Sequence, residues 1–268
     1  MVYRINNLPP PQYNPVTQTP YDSTWTFLHV SDDTNYQMIV GEQGLSVYGV
    51  KLSKHYPQWE FTVGDFLSFH QNKQILLCIS DDDLAYVKQT YEGHTYNDAY
   101  LRDYECSVLV HSTTAAAAQN ILADGALKCW NRLHREGSIT ESAPIGQLLG
   151  DPPEFSDYIM FSHGGLSGEI VTASKEAGHL EMNPDKPYTP GMRLYFDAAA
   201  IARDGRLLRD GMHSKVYDIL PLKPYLLYYA TWDKCKSDFD IPTPRNFTDA
   251  ANHAFSEQFG DRYCLKQP

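Results

Sequence analysis

The chain has 268 residues, of which 42% are hydrophobic and 13% aromatic, and its 22 Lys and Arg residues against 33 Asp and Glu residues give a formal net charge of −11. This composition provides enough apolar surface for a substantial core, and the acidic balance argues against a broadly basic nucleic-acid-binding surface. No apolar stretch approaches the roughly 18 to 20 residues needed to cross a bilayer, and residues 1–20 lack the apolar segment of a secretory signal. We therefore expect a cytoplasmic protein with no membrane partner.

The five cysteines are scattered along the chain and include no Cys-x-x-Cys pair. This spacing favours reduced thiols and argues against a zinc site. The sequence therefore predicts no metal. The cysteines are Cys78, Cys106, Cys129, Cys235 and Cys264.

The N-terminal third begins with a proline-rich segment, residues 1–22, which predicts an extended arm. A smaller α+β domain of unassigned role is predicted at residues 23–103. It opens with an apolar strand at residues 25–31. Residues 32–34 (DDT) are of the types that cap a helix, and they predict a helix that reaches Ile39.

Asp81, Asp82 and Asp83 form an acidic run before the helical pattern of residues 84–91. Such carboxylates either bind a divalent cation or stabilise the N-terminus of a helix. No neighbouring sequence completes a calcium loop of oxygen ligands. The run therefore favours a helix N-terminus.

The most informative segment is residues 106–113 (CSVLVHST), where an apolar run ends in His111, Ser112 and Thr113. The chain then passes directly into an alanine-rich helix that closes at Gly125. An imidazole and two hydroxyls at a strand end, beside the exposed N–H groups of a helix, are suited to holding a polar ligand.

A similar order of residues occurs earlier, with His29 near the end of a strand, then Ile39 and a closing Gly44. This is either a degenerate repeat or a second use of a common strand-to-helix turn. His29 is therefore an alternative to His111 as the marker of the site.

Three later segments complete a recognisable order. A strand ending in a hydroxyl is predicted at residues 158–162 (YIMFS), and residues 192–197 (MRLYFD) predict a strand that leads into a short helix. Residues 211–221 follow, and then Tyr225 and Leu226. In this order the segments resemble the RNA 2′-phosphotransferase family of the diphtheria-toxin-like ADP-ribosyltransferases, over roughly half of the chain.

The family pattern is matched unevenly. Where family members carry His-Gly-Thr, this chain has His-Ser-Thr, and residues 194–205 reproduce the family's Asp-Ala … Asp-Gly element. Of the family strand His-Val-His-Leu-Ser, only the shape and the final serine, Ser162, are present. The family's N-terminal signatures, Leu-Arg-His and Gln-Gly-His-Ser, have no counterpart in residues 1–105.

The resemblance implies an α+β domain at residues 104–233 with an ADP-ribosyltransferase-like fold, a split, twisted sheet with flanking helices. It also implies NAD as a co-substrate that is cleaved at the nicotinamide ribose. His111 would hydrogen-bond a ribose hydroxyl, because an imidazole can both donate and accept. Ser112 and Thr113 would help to seat the dinucleotide.

The second strand supplies the other predicted contacts to NAD. Tyr158 and Phe161 are candidates for an aromatic wall against nicotinamide. They lie on opposite faces of the strand, so only one of them can face the ligand. Ser162 ends the strand and is a further candidate for binding NAD.

The late segment contains the candidate groups that would act on the acceptor. His213 and Asp218 are the predicted catalytic residues besides His111, since Asp218 stands where toxin-type relatives place an acid. Strand alternation alone would instead point Asp218 to solvent. If Lys215, Arg132 and Arg135 converge, a phosphate acceptor is favoured through charge-assisted contacts.

The predicted function is NAD-dependent ADP-ribosyl transfer, a glycosyl transfer, with an RNA or nucleotide phosphate as the acceptor to test first. The missing family histidines favour an alternative, a catalytically inactive module that binds NAD, a nucleotide or a protein. A third hypothesis is a protein-directed ADP-ribosylating toxin, which the acidic composition and Asp218 would suit.

The C-terminal segment, residues 234–268, is predicted to contain one amphipathic helix at residues 248–259. Its apolar residues recur at helical spacing on one face. We expect that face to pack on the body of the protein. The residues are Phe247, Ala251, Phe255 and Phe259.

Overall fold

The computed structural model describes residues 1–8, 10, 12–33, 37–39, 47–141, 143–149, 151–235 and 241–265. The chain is a mixed α+β protein with several small sheets. It divides into two compact units. Unit 1 comprises Met1–Asn97, Gln147–Phe155 and Leu208–Met212, and unit 2 comprises Asp98–Gly146, Ser156–Leu207 and His213–Pro268.

Unit 1 is built on a five-stranded sheet with the order β1-β5-β2-β4-β3. Its first four strands run parallel, and β3 pairs antiparallel with β4. The central strands are almost wholly buried, as is usual for parallel sheets. The strands are β1 (Val2–Arg4), β2 (Trp25–Ser31), β3 (Gln37–Ile39), β4 (Gly49–Ser53) and β5 (Gln74–Cys78). The segment predicted as an extended arm thus contributes an edge strand.

The prediction of a helix that reaches Ile39 is wrong, because Gln37–Ile39 forms strand β3. Its backbone groups are satisfied by pairing with β4, a non-local partner that overrides local helix propensity. Thr34, one of the predicted capping residues, and Gly44 lie outside the described residues.

The strands that carry His29 and His111 have different partners. His29 lies within a strand that is flanked by two parallel strands. His111 lies in a strand whose partner in the sheet is antiparallel. The two segments share a spacing of residues but not a strand environment.

The described part of unit 1 contains two α-helices, α1 (Trp59–Phe69) and α2 (Asp81–Thr90). The prediction that the acidic run stabilises a helix N-terminus is confirmed, because all three aspartates lie in the first turn of α2. The capping residue itself is Ser80, whose Oγ accepts from the N–H of Asp83 at 3.1 Å. Lys54 adds ion pairs to Asp83 and Asp32.

Three small sets of paired strands lie among the described residues of unit 2. They are β13-β9-β6, the pair β12-β7 and the pair β11-β8, all antiparallel. The strands are β6 (Val108–Thr113), β7 (Ala126–Lys128), β8 (Tyr158–Phe161), β9 (Met192–Asp197), β11 (Ser214–Tyr217), β12 (Ile219–Pro221) and β13 (Leu226–Ala230), and the short β10 (Leu208–Arg209) belongs to unit 1.

One isolated bridge joins two of these sets. The N–H of Val110 donates to the carbonyl of Ser162 at 2.7 Å, and the N–H of Ser162 donates to the carbonyl of Val110 at 2.9 Å. Strand β6 thereby meets the end of β8. The next residues along each chain segment are His111 and His163.

The two faces of β6 pack into different cores, because successive side chains of a strand point to opposite sides. Leu109 packs with Phe161 and Phe196 in one cluster. Val110 packs with Tyr195 in the other, which also contains Phe247, Ala251 and Phe255. His111 therefore shares its face with Leu109, and Ser112 shares its face with Val110.

Six helices belong to the described part of unit 2, and they surround these sheets. They are α3 (Ala115–Asp124), α4 (Trp130–Arg135), α5 (Ser167–Ala177), α6 (Ala198–Arg203), α7 (Trp232–Cys235) and α8 (Pro244–Phe259), and a short 3-10 helix covers Gly260–Arg262. Two further 3-10 helices, Ile145–Leu149 and Pro153–Asp157, have residues in both units. The predicted C-terminal helix is α8, which begins earlier than predicted because Thr243 caps it and Pro244 occupies its first position. Its buried face includes Phe247, Ala251 and Phe255. Among the helices described, none is long and apolar enough to cross a membrane.

Gly191 provides a test of the packing in unit 2. A Cβ atom at this position would overlap the backbone between Thr113 and Ala115. We expect Gly191→Ala to lower the free energy of unfolding by about 1–3 kcal/mol, as overpacking does. Gly165→Ala is the matched control, because no atom lies within 4 Å of its added Cβ. Urea denaturation followed by fluorescence measures both, and equal stability of the two variants would contradict the packing described.

Candidate functional site

His111 is held by its ring at the edge of the bridge between β6 and β8. Its Nδ1 lies 3.1 Å from the carbonyl oxygen of Met160. Because a carbonyl only accepts, Nδ1 must carry the proton in this hydrogen bond. The neutral ring then has its acceptor lone pair on Nε2. This is the orientation needed to accept a hydrogen bond from a ligand hydroxyl.

The surroundings of His111 favour the neutral ring. Burial lowers the pKa of His111, and the nearby Lys175 charge lowers it further, while the hydrogen bond to the Met160 carbonyl opposes the shift. The edge of the ring also contacts Phe161, with 6.0 Å between ring centroids. His111 is thus an acceptor rather than a cation near neutral pH.

A second histidine lies beyond the bridge. His163 follows Ser162, and its Nε2 lies 3.1 Å from the Oγ of Ser214, the first residue of β11. Ser214 pairs with Phe161 across the sheet. His213, a predicted catalytic residue, immediately precedes Ser214 and is partly buried. An imidazole and a hydroxyl in contact can relay a proton.

Ser112 and Thr113 do not both accompany His111. Ser112 points to the opposite face of β6, where its Oγ accepts from Nη1 of Arg193 at 3.3 Å. Thr113 shares the face of His111 but is buried. Ser162 lies at the bridge, where its Oγ donates to the carbonyl of Val110 at 3.4 Å.

The two aromatic candidates occupy different environments. Phe161 is buried in the core and makes an edge contact with Phe196. Tyr158, three residues earlier, has the ammonium of Lys215 4.7 Å from its ring centroid. Lys215 is itself fully buried. The ammonium of Lys215 thus makes a cation–π contact inside unit 2.

Asp218, Arg132 and Arg135 converge, but on one another. Nη1 of Arg132 lies 2.5 Å from Oδ2 of Asp218, and Nη2 of Arg135 lies 3.0 Å from Oδ1. Asp218 is held in the left-handed region, with φ 58°. This conformation departs from strand alternation and turns the carboxylate to the arginines. Its backbone carbonyl also accepts from the N–H of Cys129.

The predicted residues thus form two groups at opposite ends of β8 and β11. Phe161 pairs with Ser214 at one end, and Tyr158 pairs with Tyr217, next to Asp218, at the other. At about 3.4 Å per residue, these ends are roughly 10 Å apart. The first group, around His111 and His163, is the candidate site, and the second is an ion-pair cluster.

Two buried residues for which the sequence predicts no role lie on the opposite face of β6 and β9 from His111. Arg193 and Glu169 form an ion pair, and both side chains are at most 1% exposed. A charge between Met192 and Leu194 in an apolar strand was the available signal, because such a residue must find a buried partner. Within the described residues, no group of three or more His, Cys, Asp or Glu side chains is placed to hold a metal ion.

Comparison with family models finds no match, and comparisons with curated proteins and with solved structures find no significant match. The geometry and the sequence motifs are therefore the grounds on which a function can be proposed.

The neutral state of His111 predicts a pH dependence of stability. Because the folded pKa lies below the ordinary value of about 6.5, the unfolded chain binds a proton more readily than the folded chain. The contribution of His111 to stability is therefore fully present above about pH 6.5, and it is lost as the pH falls from there through the folded pKa. His111→Gln should lose less stability than wild type between pH 7 and pH 5 in urea denaturation. The control is His253→Gln on an exposed surface, and equal losses in all three proteins would count against a buried neutral His111.

The ion-pair cluster predicts how stability responds at Asp218. Asp218→Asn keeps a residue that tolerates the left-handed region and removes the charge, so the unfolding midpoint should become less sensitive to salt. Asp218→Val should be less stable than Asp218→Asn by about 1–2 kcal/mol, because a branched residue is strained at this φ. Denaturation at low and high salt measures both effects. An unchanged salt response in Asp218→Asn would show that the ion pairs contribute nothing.

Proposed function

We propose that the chain is an NAD-dependent ADP-ribosyltransferase, with an ADP-ribosyltransferase-like split sheet in unit 2 and its site where β6 and β8 meet. The observation that carries the proposal is the orientation of His111, whose Nδ1 is held by the Met160 carbonyl while Nε2 is left as an acceptor. A ribose hydroxyl is a donor of the required kind. The resemblance of the sequence to RNA 2′-phosphotransferases supplies the substrate.

The chemistry requires the bond between C1′ of the ribose and the nicotinamide nitrogen to break. The bonding electrons leave with nicotinamide, which departs neutral, and an oxocarbenium-like ribose remains. An acceptor oxygen then forms a bond to C1′. The protein must orient the ribose for this step, which is the role we propose for His111.

The acceptor determines whether a base is needed. A phosphate arrives already anionic, whereas a hydroxyl must lose its proton to a base. His163, which is in contact with Ser214, is the group we propose for that proton. Asp218 is an unsuitable base, since it is paired with two arginines at the far end of β11. The toxin hypothesis therefore loses the acid on which it depended.

An RNA or nucleotide phosphate remains the acceptor to test first. For Arg132 and Arg135 to contact it, the phosphate would have to compete with Asp218 for both side chains. Asp218 already balances the charges of Arg132 and Arg135. This pairing favours the second candidate function, a module on this fold that binds NAD, a nucleotide or a protein without catalysis.

Nicotinamide release from NAD tests the proposal. Pure wild-type protein should release nicotinamide, and His111→Ala should weaken NAD binding and slow release by on the order of tenfold or more, because a positioning contact is lost. Asp218→Asn is the matched control and should retain NAD affinity. Parallel reactions should contain RNA with a 2′-phosphate, RNA with a terminal phosphate, or a hydroxyl acceptor.

The outcomes separate the candidate functions. Faster release with phosphorylated RNA would support the phosphate acceptor, and faster release with the hydroxyl acceptor would support proton transfer to His163. NAD binding without release under every condition would favour the binding module. Failure of wild type to bind NAD in titration calorimetry would overturn the proposed function.

A further inference from the structure

Arg193 occupies a position in β9 that ordinarily holds an apolar residue. Its guanidinium is fully buried, and Nη1 lies 3.4 Å from Oε1 of Glu169 in α5. The other carboxylate oxygen, Oε2, accepts from the hydroxyl of Tyr188 at 2.6 Å. Replacing a buried ion pair with apolar residues of similar volume is often neutral or stabilising. The pair is therefore not explained by stability alone.

The remaining donors of Arg193 act on the turn that follows His163. Nη2 donates to the carbonyl of Gly164 at 2.6 Å and to the carbonyl of Gly165 at 3.2 Å. Asn252 in α8 reaches the same place, because its Nδ2 also donates to the Gly164 carbonyl, at 2.8 Å. Two side chains from distant parts of the sequence thus hold one turn.

Asn252 is itself fixed within this group. Its Oδ1 accepts from the hydroxyl of Tyr195 at 2.9 Å and from Nη2 of Arg193 at 3.4 Å. We call Glu169, Arg193 and Asn252 the Arg193 network. It lies on the face of β6 and β9 opposite to His111, where Arg193 is paired with Ser112.

The network controls the direction of the backbone in the turn. Gly164 has φ +101°, a conformation that residues with a Cβ rarely adopt. Because a trans peptide is planar, an inward carbonyl of Gly164 turns the N–H of Gly165 away from Arg193. His163 is then held between the bridge at Ser162 on one side and the tethered Gly164 carbonyl on the other.

We propose that Arg193 and Asn252 are positioning residues that fix His163 and the start of α5 for NAD, and that the C-terminal helix α8 thereby completes the site. This inference rests on the proposed function for its ligand. Neither residue contacts NAD, since both act through the turn of Gly164 and Gly165. A loss of the Asn252 contact should free the turn without unfolding the sheet.

The experiment uses Asn252, because replacement of the fully buried Arg193 endangers folding. Asn252→Ala removes all three hydrogen bonds of the side chain. Asn252→Asp keeps an acceptor for Arg193 and Tyr195 but cannot donate to Gly164. Ala251→Gly is the matched control, since it weakens the adjacent turn of α8 and leaves the network in place. All are measured in the full chain by urea denaturation, amide hydrogen exchange and calorimetric titration with NAD.

Asn252→Ala and Asn252→Asp should both speed amide exchange in residues 163–168 and weaken NAD affinity by on the order of tenfold. Ala251→Gly should lower the unfolding midpoint and keep both the slow exchange and the affinity of wild type. The contrast separates positioning from general loss of stability.

Three results would overturn the inference. Unchanged exchange in both Asn252 variants would show that Asn252 does not hold the turn, and would remove α8 from the proposed positioning group. Faster exchange with wild-type NAD affinity would show that the turn does not serve the ligand. An equal loss of affinity in Ala251→Gly would assign the effect to stability. Failure of wild type to bind NAD would overturn the proposed function and the ligand part of the inference, while the exchange data would still decide whether the turn is held.

Discussion

The two backbone hydrogen bonds exchanged by Val110 and Ser162 are the constraint on which the candidate site depends. On either side of this bridge the strands have other partners, since β6 pairs with β9 and β8 pairs with β11. The sheets therefore meet at one point and separate beyond it. His111 and His163 follow the two bridged residues in opposite directions, because the bridge is antiparallel. The bridge thus joins two chain segments whose histidines are 52 residues apart in sequence.

Because side chains alternate along a strand, the two faces of β6 carry different chemical groups. The face of His111 carries a neutral imidazole over an apolar core, and the opposite face carries a buried charge balanced by Glu169. A buried ion pair is costly to desolvate and becomes strongly destabilising when one partner is removed. Such a pair keeps its neighbours in one arrangement, because few other arrangements satisfy both charges. The ordering of the turn at Gly164 is consistent with this property.

Local features of the sequence were sufficient to predict several elements. The start of α2 could be predicted because serine and aspartates stabilise a helix N-terminus within a single turn. The start of α3 likewise depends on neighbouring residues, since the Oγ1 of Thr114 accepts from the N–H of Ala117. The strand Gln37–Ile39 could not be predicted, since its structure comes from pairing with β4. That contact is invisible to local propensity.

The functional side chains also divide into those that local sequence could predict and those that depend on distant contacts. The strand that contains His111 could be predicted from the sequence, although β6 continues past His111 to Thr113. The ring orientation depends on a carbonyl 49 residues away. The pairing of Asp218 with Arg132 and Arg135 depends on a left-handed residue in a sequence that alternates like a strand. No local pattern required that conformation. Arg193 was visible as a charge in an apolar strand, yet its partners lie in α5 and α8 and could be identified only from the fold.

Unit 1 is not continuous in sequence, and this affects how the protein can be made. Its first segment ends at Asn97, and the unit also needs Gln147–Phe155 and Leu208–Met212. Phe155 packs against Tyr48, and the N–H of Arg209 donates to the carbonyl of Tyr96. During synthesis, which proceeds from the N-terminus, unit 1 lacks part of its own packing until residue 212 has left the ribosome. A fragment cut at the apparent boundary would therefore be an incomplete folding unit, and expression of the N-terminal region alone should yield an aggregation-prone chain.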